Sequence, residues 1–367
     1  MKIKVKTSEF SKAIANVGKV ISSKPIDLIL DNILLQKNNN ISLFTTNLEQ
    51  AMKYDLDAEI IDPSGVTETV LPYDLLKDIT PKFKGDYIEL DLSKKTVEIV
   101  EDSGKFTLHT FNPEAFAQIP EVESDVKFEI PANILKDLIE NTVFAASKKE
   151  ESRKEFRGVY FDIKENVVNL VATDSTALAL NTFEVSNLKD ANFIIPWKAV
   201  DILLHIPTAS SDKFEITTSE SAVKFNINNI SLISLLINGQ FPQYENVIPQ
   251  DTVYYASVNK SILMDALRLI EPFAKRGTNR IVFTFSSNTL TLESPQSEVG
   301  YASKVIPCET NGEISLQFYA EKIIEGIEHV KDENVFFGIQ GPLHPVLLKS
   351  PNNSSYIYVI MPQKPIE

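Results

Sequence analysis

The sequence predicts an α+β protein built from three tandem repeats, each with two helices packed on antiparallel sheets. A strand that turns into an amphipathic helix begins three times, at Lys2, Lys127 and Tyr254. After each start, two alternating apolar runs flank a short polar turn, which is the pattern of a β-hairpin. Strands that are joined by hairpins run antiparallel, so the sheets are expected to be mostly antiparallel.

The first repeat shows the order of the elements. A strand and a helix are predicted from Lys2 (KIKVKTSEFSKAIANV), and a hairpin from Asn32 (NILLQKNNNISLFTTN). A second helix is indicated from Leu71 (LPYDLLKDIT), because apolar residues recur there at three- and four-residue spacing. A closing hairpin follows from Thr96 (TVEIVEDSGKFTLHTF).

The second and third repeats follow the same order, with nearly equal spacing between matching segments. Their first helices follow Lys127 and Tyr254, their hairpins begin at Gly158 and Arg280, their second helices follow Ile195 and Leu316, and their closing hairpins begin at Ala222 and His344. The predicted domains are therefore residues 1–123, 124–250 and 251–367.

The composition is that of a soluble globular protein, with 43% apolar and 23% charged residues. No apolar run approaches the roughly 20 residues that span a bilayer, and the N-terminus lacks the apolar core of a signal peptide. A single cysteine, Cys308, excludes an intrachain disulfide and fits a reducing compartment. We expect a cytoplasmic protein with no membrane partner.

Nothing in the sequence marks a catalytic or metal centre. The four histidines are scattered without metal-ligand spacing, and one cysteine cannot build a structural zinc site of the usual type. Phosphate-loop, dinucleotide and nucleophile-elbow motifs are absent. The sequence favours a non-enzyme without a cofactor. An enzyme that uses unmarked members of its 50 carboxylates is the alternative.

The net charge of −14 argues, as an average, against nucleic acid, since phosphate binding depends on Lys and Arg. The basic residues nevertheless gather in places. Lys148, Lys149, Arg153 and Lys154 fall within seven residues, and Lys275 precedes Arg276. Each cluster is either a solvated face or part of a phosphate-binding surface.

Open sheet edges at the two ends of such a chain could pair head to tail with a second copy and close a ring. The candidate edge in the first repeat contains Lys105, Phe106 and Leu108. Its candidate partner in the third repeat lies around Phe273 and the strand Glu298–Val305. The alternative is that these strands are capped within the chain.

The segment FPQYENVIP, from Phe241 to Pro249, lies between the second and third repeats. Its two prolines lack a backbone donor and bias the preceding residues to extended geometry. An extended, rigid linker is one interpretation. The other is that Pro242, Tyr244 and Val247 line one wall of a groove.

Four segments together resemble the bacterial DNA polymerase III beta subunit, the sliding clamp, in register over the whole chain. They are Arg157-Gly158-Val159, Val171-Ala172-Thr173-Asp174, Phe241-Pro242-Gln243-Tyr244 with Val247 and Pro249, and Val359-Ile360-Met361-Pro362. The resemblance implies three clamp domains per chain and a head-to-tail homodimeric ring of six domains around DNA. It also implies a non-catalytic processivity factor.

The resemblance implies binding to double-stranded DNA without sequence preference and with steep salt dependence. The positions that match DNA-facing residues of the family are Lys24, Lys148, Lys149 and Lys198. Lys77 and Arg276 are added here from their charge and their placement on helices. A protein-only scaffold that never meets DNA is the alternative.

The resemblance also implies a pocket for short linear motifs of partner proteins. These partners are the DNA polymerase III alpha subunit, the clamp loader, other polymerases and repair proteins. Apolar side chains there would accept a partner's Leu or Phe. The expected pocket residues are Thr173, Ser175, Leu178, Pro242, Val247, Lys322, Val346, Val359, Met361 and Pro362.

The sequence departs from the family pattern at this pocket. Ser175, Thr176 and Ala177 stand where Gly-His-Arg is common, and Asn246 stands where a basic residue is frequent. Lys322 occupies a position often held by Tyr, and the tail continues as Gln363-Lys364-Pro365-Ile366-Glu367. We therefore expect a somewhat different preference among partner motifs.

Overall fold

The computed structural model describes residues 1–22, 27–93, 95–102, 104–117, 121–123, 126–186, 188–298 and 300–364. Its α-helices are α1 (Thr7–Val17), α2 (Tyr73–Ile79), α3 (Ala132–Glu140), α4 (Trp197–Leu204), α5 (Lys260–Arg276) and α6 (Ala320–Glu328). Within these ranges no helix has both the length and the apolar character that a membrane span requires.

The strands follow the three repeats. The first repeat has β1 (Lys2–Lys6), β2 (Asn32–Lys37), β3 (Ile41–Thr46), β4 (Gln50–Leu56), β5 (Ala58–Asp62), β6 (Glu68–Pro72), β7 (Tyr87–Leu92), β8 (Thr96–Glu101) and β9 (Gly104–His109). The second has β10 (Lys127–Pro131), β11 (Gly158–Lys164), β12 (Val167–Thr173), β13 (Ala177–Glu184), β14 (Ala191–Pro196), β15 (Lys213–Thr218), β16 (Ala222–Ile227) and β17 (Ile230–Leu235). The third has β18 (Tyr254–Asn259), β19 (Arg280–Ser286), β20 (Thr289–Glu293), β21 (Ser303–Pro307), β22 (Glu309–Thr310), β23 (Ile314–Tyr319), β24 (Asn334–Ile339), β25 (Val346–Lys349) and β26 (Tyr356–Ile360).

These elements form two compact units. Unit 1 contains Met1–Leu135 and Asp201–Leu236, and unit 2 contains Lys136–Val200 and Ile237–Glu367. The middle repeat contributes strands to both units. The two compact units therefore do not coincide with the three sequence repeats. The boundaries at 123/124 and 250/251 stay predictions.

Unit 1 contains a five-stranded sheet in the order β5-β1-β7-β8-β9 and an eight-stranded sheet in the order β10-β15-β16-β17-β4-β3-β2-β6. Helix α1 buries Phe10, Ile14 and Val17, which lie on one face at four- and three-residue spacing. That face supplies much of the local core.

Unit 2 contains a nine-stranded sheet in the order β14-β11-β12-β13-β26-β25-β24-β18-β22 and a four-stranded sheet in the order β21-β20-β19-β23. Helix α5 begins after Asn259, whose side chain accepts a hydrogen bond from the backbone N–H of Ile262 at 3.1 Å. This cap satisfies a donor that the first helical turn leaves free.

The two large sheets share one plan. The eight strands of unit 1, read from β6 to β10, correspond to the first eight strands of unit 2, read from β14 to β18. In each sheet a strand of one repeat pairs with the last strand of the next repeat, β4 with β17 and β13 with β26. The described strands pair antiparallel, which confirms that prediction.

The expectation of a fully extended Phe241–Pro249 segment is wrong in part, because Tyr244–Val247 turns into a short 3-10 helix. The 3-10 turn places Tyr244 against the sheet while Glu245 and Asn246 stay exposed. The two prolines bias only the residues that precede them, so Tyr244–Val247 between them is free to turn.

A histidine lies in a mostly buried site just after α6. The His329 ring stacks on Phe144 with 4.3 Å between centroids, and its Nδ1 lies 3.0 Å from Asn141 Oδ1. Burial, followed by the nearby positive charge of Lys260, lowers the pKa of His329 to about 4. In the folded protein this ring is therefore neutral above a pH of about 4.

We expect His329 to make unit 2 less stable as the pH falls from about 6.5 towards 4. In that window the unfolded chain binds a proton at this position and the folded chain does not, so the free energy of unfolding falls with pH. Urea unfolding of the wild type and His329→Gln between pH 7 and 4.5 measures this. The variant should show a shallower pH dependence, and equal slopes would contradict the assignment.

Candidate functional site

A small apolar cavity of about 180 Å³ lies on the face of the nine-stranded sheet, and we call it the anchor pocket. It brings together seven of the predicted pocket residues: Thr173, Ser175, Leu178, Pro242, Val247, Val359 and Met361. Its other lining residues are Phe156, Thr176, Ala177, Phe241 and Tyr244. The cavity is smaller than the roughly 300–1,000 Å³ of drug-sized ligand sites, so it fits one or two apolar side chains.

The floor of the anchor pocket follows from strand register. Leu178 on β13 pairs with Val359 on β26, and Val359 pairs in turn with Leu347 on β25. Residues that pair directly point to the same face of a sheet. All three belong to one apolar cluster, so the floor is a rigid part of the core rather than a loop.

Aromatic contacts and a buried hydrogen bond hold the wall in place. The ring of Phe241 stacks on Tyr160 with 4.8 Å between centroids. The Tyr244 hydroxyl donates to Asp162 Oδ2 at 2.9 Å, and Asp162 also pairs with Lys164 Nζ at 2.9 Å. Burial, reinforced by the bond to Asp162, raises the pKa of Tyr244, so this hydroxyl remains a donor.

A tight turn between β12 and β13 forms the rim. Thr173 Oγ1 donates to the carbonyl of Ala177 at 2.6 Å. Asp174 Oδ1 accepts from the backbone N–H groups of Thr176 and Ala177 at 2.9 and 3.0 Å. Ser175 adopts a left-handed φ of 78°, which L-residues rarely take. The side-chain bonds hold that conformation.

Lys322 stands beside this rim without lining the cavity. Its Nζ lies 3.0 Å from Asp174 Oδ2. Burial acts to raise the pKa of Asp174, but the hydrogen bond from Thr176 and the charge of Lys322 outweigh it and lower the pKa below its usual range. Lys322 therefore helps to keep the Asp174 carboxylate ionised in this turn.

Two further predicted pocket residues also lie away from the cavity lining. Val346 is fully buried in β25 opposite Ile360, and Pro362 is buried just after β26. Of the residues that line the pocket, Phe241 falls in the segment the sequence had singled out. Phe156 also lines the pocket, and the sequence did not predict it, because no motif surrounds it and the fold alone brings it to this site.

The predicted DNA-binding residues that the structure describes are all exposed: Lys77, Lys148, Lys149, Lys198 and Arg276. Lys148 Nζ lies 5.6 Å from the centroid of the Trp197 ring, and Trp197 directly precedes Lys198 on α4. Lys148 therefore lies beside the start of α4, the helix that carries Lys198. Lys77 lies on α2 in unit 1, Arg276 ends α5, and Lys24 lies outside the described residues.

Three of the predicted dimer-interface residues lie on the edge strand of a small sheet, and the fourth lies on a helix. Lys105, Phe106 and Leu108 are on β9, which ends the five-stranded sheet. Phe106 packs on Phe83 at 5.3 Å between centroids, and Leu108 is buried. Phe273 on α5 is 37% exposed, and the strand predicted beside it is β21, which ends the four-stranded sheet.

Over the part of the chain that the structure describes, no three His, Cys, Asp or Glu side chains are placed to hold a metal ion. The candidate surfaces described above are an apolar pocket, exposed basic residues and two sheet edges. They suit binding of peptides, phosphates and strands.

Three family models match the chain in tandem. They are the DNA polymerase III beta subunit N-terminal domain over residues 1–120, its central domain over 129–243 and its C-terminal domain over 245–364. Their order confirms the prediction of three tandem domains of this type.

Curated relatives and solved structures match over the full length. The beta sliding clamp of Bacillus subtilis is 24% identical and that of Chlamydia pneumoniae 26%, each with 99% of both chains covered. The DNA polymerase III beta subunit of Thermotoga maritima superposes with a TM-score of 0.92 at 24% identity, over 100% of both chains. A Pseudomonas aeruginosa sliding clamp bound to griselimycin gives 0.91 at 21% identity, also over 100% of both.

Proposed function

This chain belongs to the DNA polymerase III beta subunit family, the beta sliding clamps, and on that premise we propose that two copies close into a ring around double-stranded DNA. Members of this family are processivity factors without catalytic activity, so the protein is a DNA sliding clamp and not an enzyme.

The counts of strands in the sheets carry the proposal of a ring. The large sheets combine strands of two successive repeats and contain eight and nine strands. The small sheets contain five and four strands and end in β9 and β21. If β9 of one copy pairs with β21 of another, the small sheets join across the interface into a third large sheet, with nine strands. Two such head-to-tail contacts close a ring and leave neither edge unpaired.

The exposed basic residues support contact with DNA in spite of the net charge of −14. Lys148, Lys149 and Lys198 are exposed in unit 2, with Lys148 against Trp197 at the start of α4, and Arg276 ends α5. Lysine and arginine that contact phosphates position a duplex without reading its bases. Binding should therefore be independent of sequence and should weaken steeply with salt.

The anchor pocket is the proposed docking site for other replication proteins. Its apolar floor, and the wall that Phe241 and Tyr244 hold in place, fit the Leu or Phe of a short linear motif. The proposed owners of such motifs are the DNA polymerase III alpha subunit, the clamp loader, other polymerases and repair proteins. Through this pocket the ring would tether a polymerase to its template.

Retention on DNA tests the ring. The protein is loaded onto nicked circular DNA with a clamp loader and ATP, and half of the sample is then linearised. We expect the protein to stay on the circles and to be lost from the linear molecules, because a ring can leave only over an end. Equal loss from both forms would contradict topological binding.

A further inference from the structure

A large cavity of about 1180 Å³ lies on one face of the eight-stranded sheet of unit 1, and we call it the unit 1 groove. Six neighbouring strands supply its floor, in the order β16-β17-β4-β3-β2-β6. Its wall belongs to the connection that follows β9. The volume exceeds the roughly 300–1,000 Å³ of drug-sized ligand sites, so the groove has room for a peptide segment.

The middle of the groove is apolar. Lys53 pairs with Ser231 on one side and with Phe44 on the other, and Phe44 pairs with Leu34. Directly paired residues lie on the same face of a sheet. Phe116 of the wall is 7% exposed and lines the same cavity. Two phenylalanines and a leucine therefore surround the centre of the groove.

The two ends of the groove carry opposite charges. Lys224 on β16 and Glu68 on β6 line it and are half-buried. Glu68 Oε2 accepts a hydrogen bond from Gln36 Nε2 at 3.1 Å. Lys53, between the two ends, pairs with Asp55 at 2.8 Å. Among the described residues, neither Lys224 nor Glu68 forms an ion pair, so each end offers a charge to a ligand.

The strand order fixes the length of a ligand that reaches both ends. Lys224 and Glu68 are separated by five strand spacings of about 4.8 Å, or about 24 Å across the sheet. An extended chain covers about 3.3 Å per residue. A segment of about seven residues that crosses the strands therefore spans the groove.

The wall adds three more carboxylates, those of Glu114, Glu121 and Glu123, at exposed positions. Solvent and salt screen exposed charges more strongly than half-buried ones. These glutamates therefore favour a basic ligand over an acidic one in general, while the two half-buried ends select which charge lies where.

We propose that the unit 1 groove binds a linear segment of a partner protein with an acidic residue at one end, an apolar residue in the middle and a basic residue at the other end. The acid meets Lys224, the base meets Glu68, and the apolar side chain packs against Phe44 and Phe116. This site is separate from the anchor pocket of unit 2 and does not depend on the role proposed for that pocket.

Fluorescence anisotropy with three labelled peptides tests the proposal on the full-length protein. The bipolar probe is Asp-Ser-Ser-Ile-Ser-Ser-Lys, the acidic probe ends in Asp at both positions, and the basic probe has Lys at both. All are acetylated and amidated, which removes the terminal charges. The bipolar probe should bind about fivefold more tightly than the basic probe. The acidic probe should bind most weakly.

Charge reversals at the ends should change this ranking. Lys224→Glu makes both ends acidic, so the basic probe should become the tightest. Glu68→Lys makes both ends basic and should favour the acidic probe. Lys213→Glu is the matched control, because Lys213 is exposed on the neighbouring strand β15, where it pairs with Glu129, and it does not line the groove. It should keep the wild-type ranking.

Val247→Asp separates this site from the anchor pocket, since Val247 lines that pocket and not the unit 1 groove. The bipolar probe should bind this variant as it binds the wild type. Loss of binding there would place the probe in the anchor pocket and overturn the proposal. Absence of binding by all three probes, equal binding by all three, or an unchanged ranking in Lys224→Glu would also overturn it.

Discussion

Val247→Asp is expected to abolish peptide binding, with a loss of at least about 100-fold in affinity. Val247 is 42% exposed and forms one wall of the anchor pocket. An aspartate there places a carboxylate against the side chain that a partner inserts. Burying that charge without a partner costs several kcal/mol, and each 1.4 kcal/mol is about tenfold in affinity.

Asn246→Asp provides the matched control, since it adds the same charge one residue earlier, on an exposed side chain whose Nδ2 donates to Gln243 Oε1. Fluorescence anisotropy with a labelled Gly-Ser-Leu-Phe peptide compares the two variants. Both should still form dimers and stay on circular DNA, because Val247 lies on neither small sheet. Unweakened binding by Val247→Asp would mean that the peptide docks elsewhere.

Much of this site could be predicted because its residues lie in sequence patterns that local rules constrain. Pro242 and Val247 fall in a segment bounded by two prolines, and Leu178 and Val359 lie in alternating apolar strands. Periodicity identifies which residues of a strand share a face. It also identified the three repeats and their hairpins, and the tandem family matches confirm that arrangement.

What the sequence could not supply is the partner of each strand across long separations. β13 pairs with β26, about half the chain away, and that pairing brings Leu178 beside Val359. The same applies to the bond from Tyr244 to Asp162, which joins residues 82 positions apart. Such contacts depend on tertiary packing, and local propensity carries no information about them.

The internal repeat shows that side chains, and not the backbone, make the anchor pocket. In unit 1 the turn before β4 repeats the rim: Leu48 has a φ of 74° where Ser175 has 78°. Thr46 Oγ1 donates to the carbonyl of Gln50 at 2.9 Å, as Thr173 Oγ1 does to Ala177 at 2.6 Å. The same turn, with a left-handed residue and a threonine hydrogen bond, therefore occurs in both units.

The strand residues beside this turn differ in chemistry between the two units. By position on β4 and β13, Ala51 corresponds to Leu178 and Lys53 to Leu180. Lys224, which pairs with Ile233, corresponds to Leu347, which pairs with Val359. Two lysines thus stand in unit 1 where unit 2 has Leu180 and Leu347, on the sheet face beside the anchor pocket. The same fold thus carries an apolar surface in unit 2 and a basic one at the matching place in unit 1.

Phe273→Asp is expected to weaken the dimer by about 100-fold and to abolish retention on circular DNA. Phe273 is 37% exposed on α5, and the proposed ring would bury it where β21 meets β9 of the other copy. A buried aromatic residue at an interface is a typical hot spot worth at least about 2 kcal/mol. An aspartate removes that contact and also leaves an unpaired charge.

Sedimentation over a range of protein concentrations measures the dimer, and the circle assay reports the ring. Ile262→Asp is the matched control, because Ile262 is also an exposed apolar residue of α5, 42% accessible. It lies eleven residues away, about 16 Å along the helix. The control should remain dimeric and loaded. If both variants dissociate alike, helix stability is responsible. If Phe273→Asp stays dimeric, the interface does not involve this end of α5.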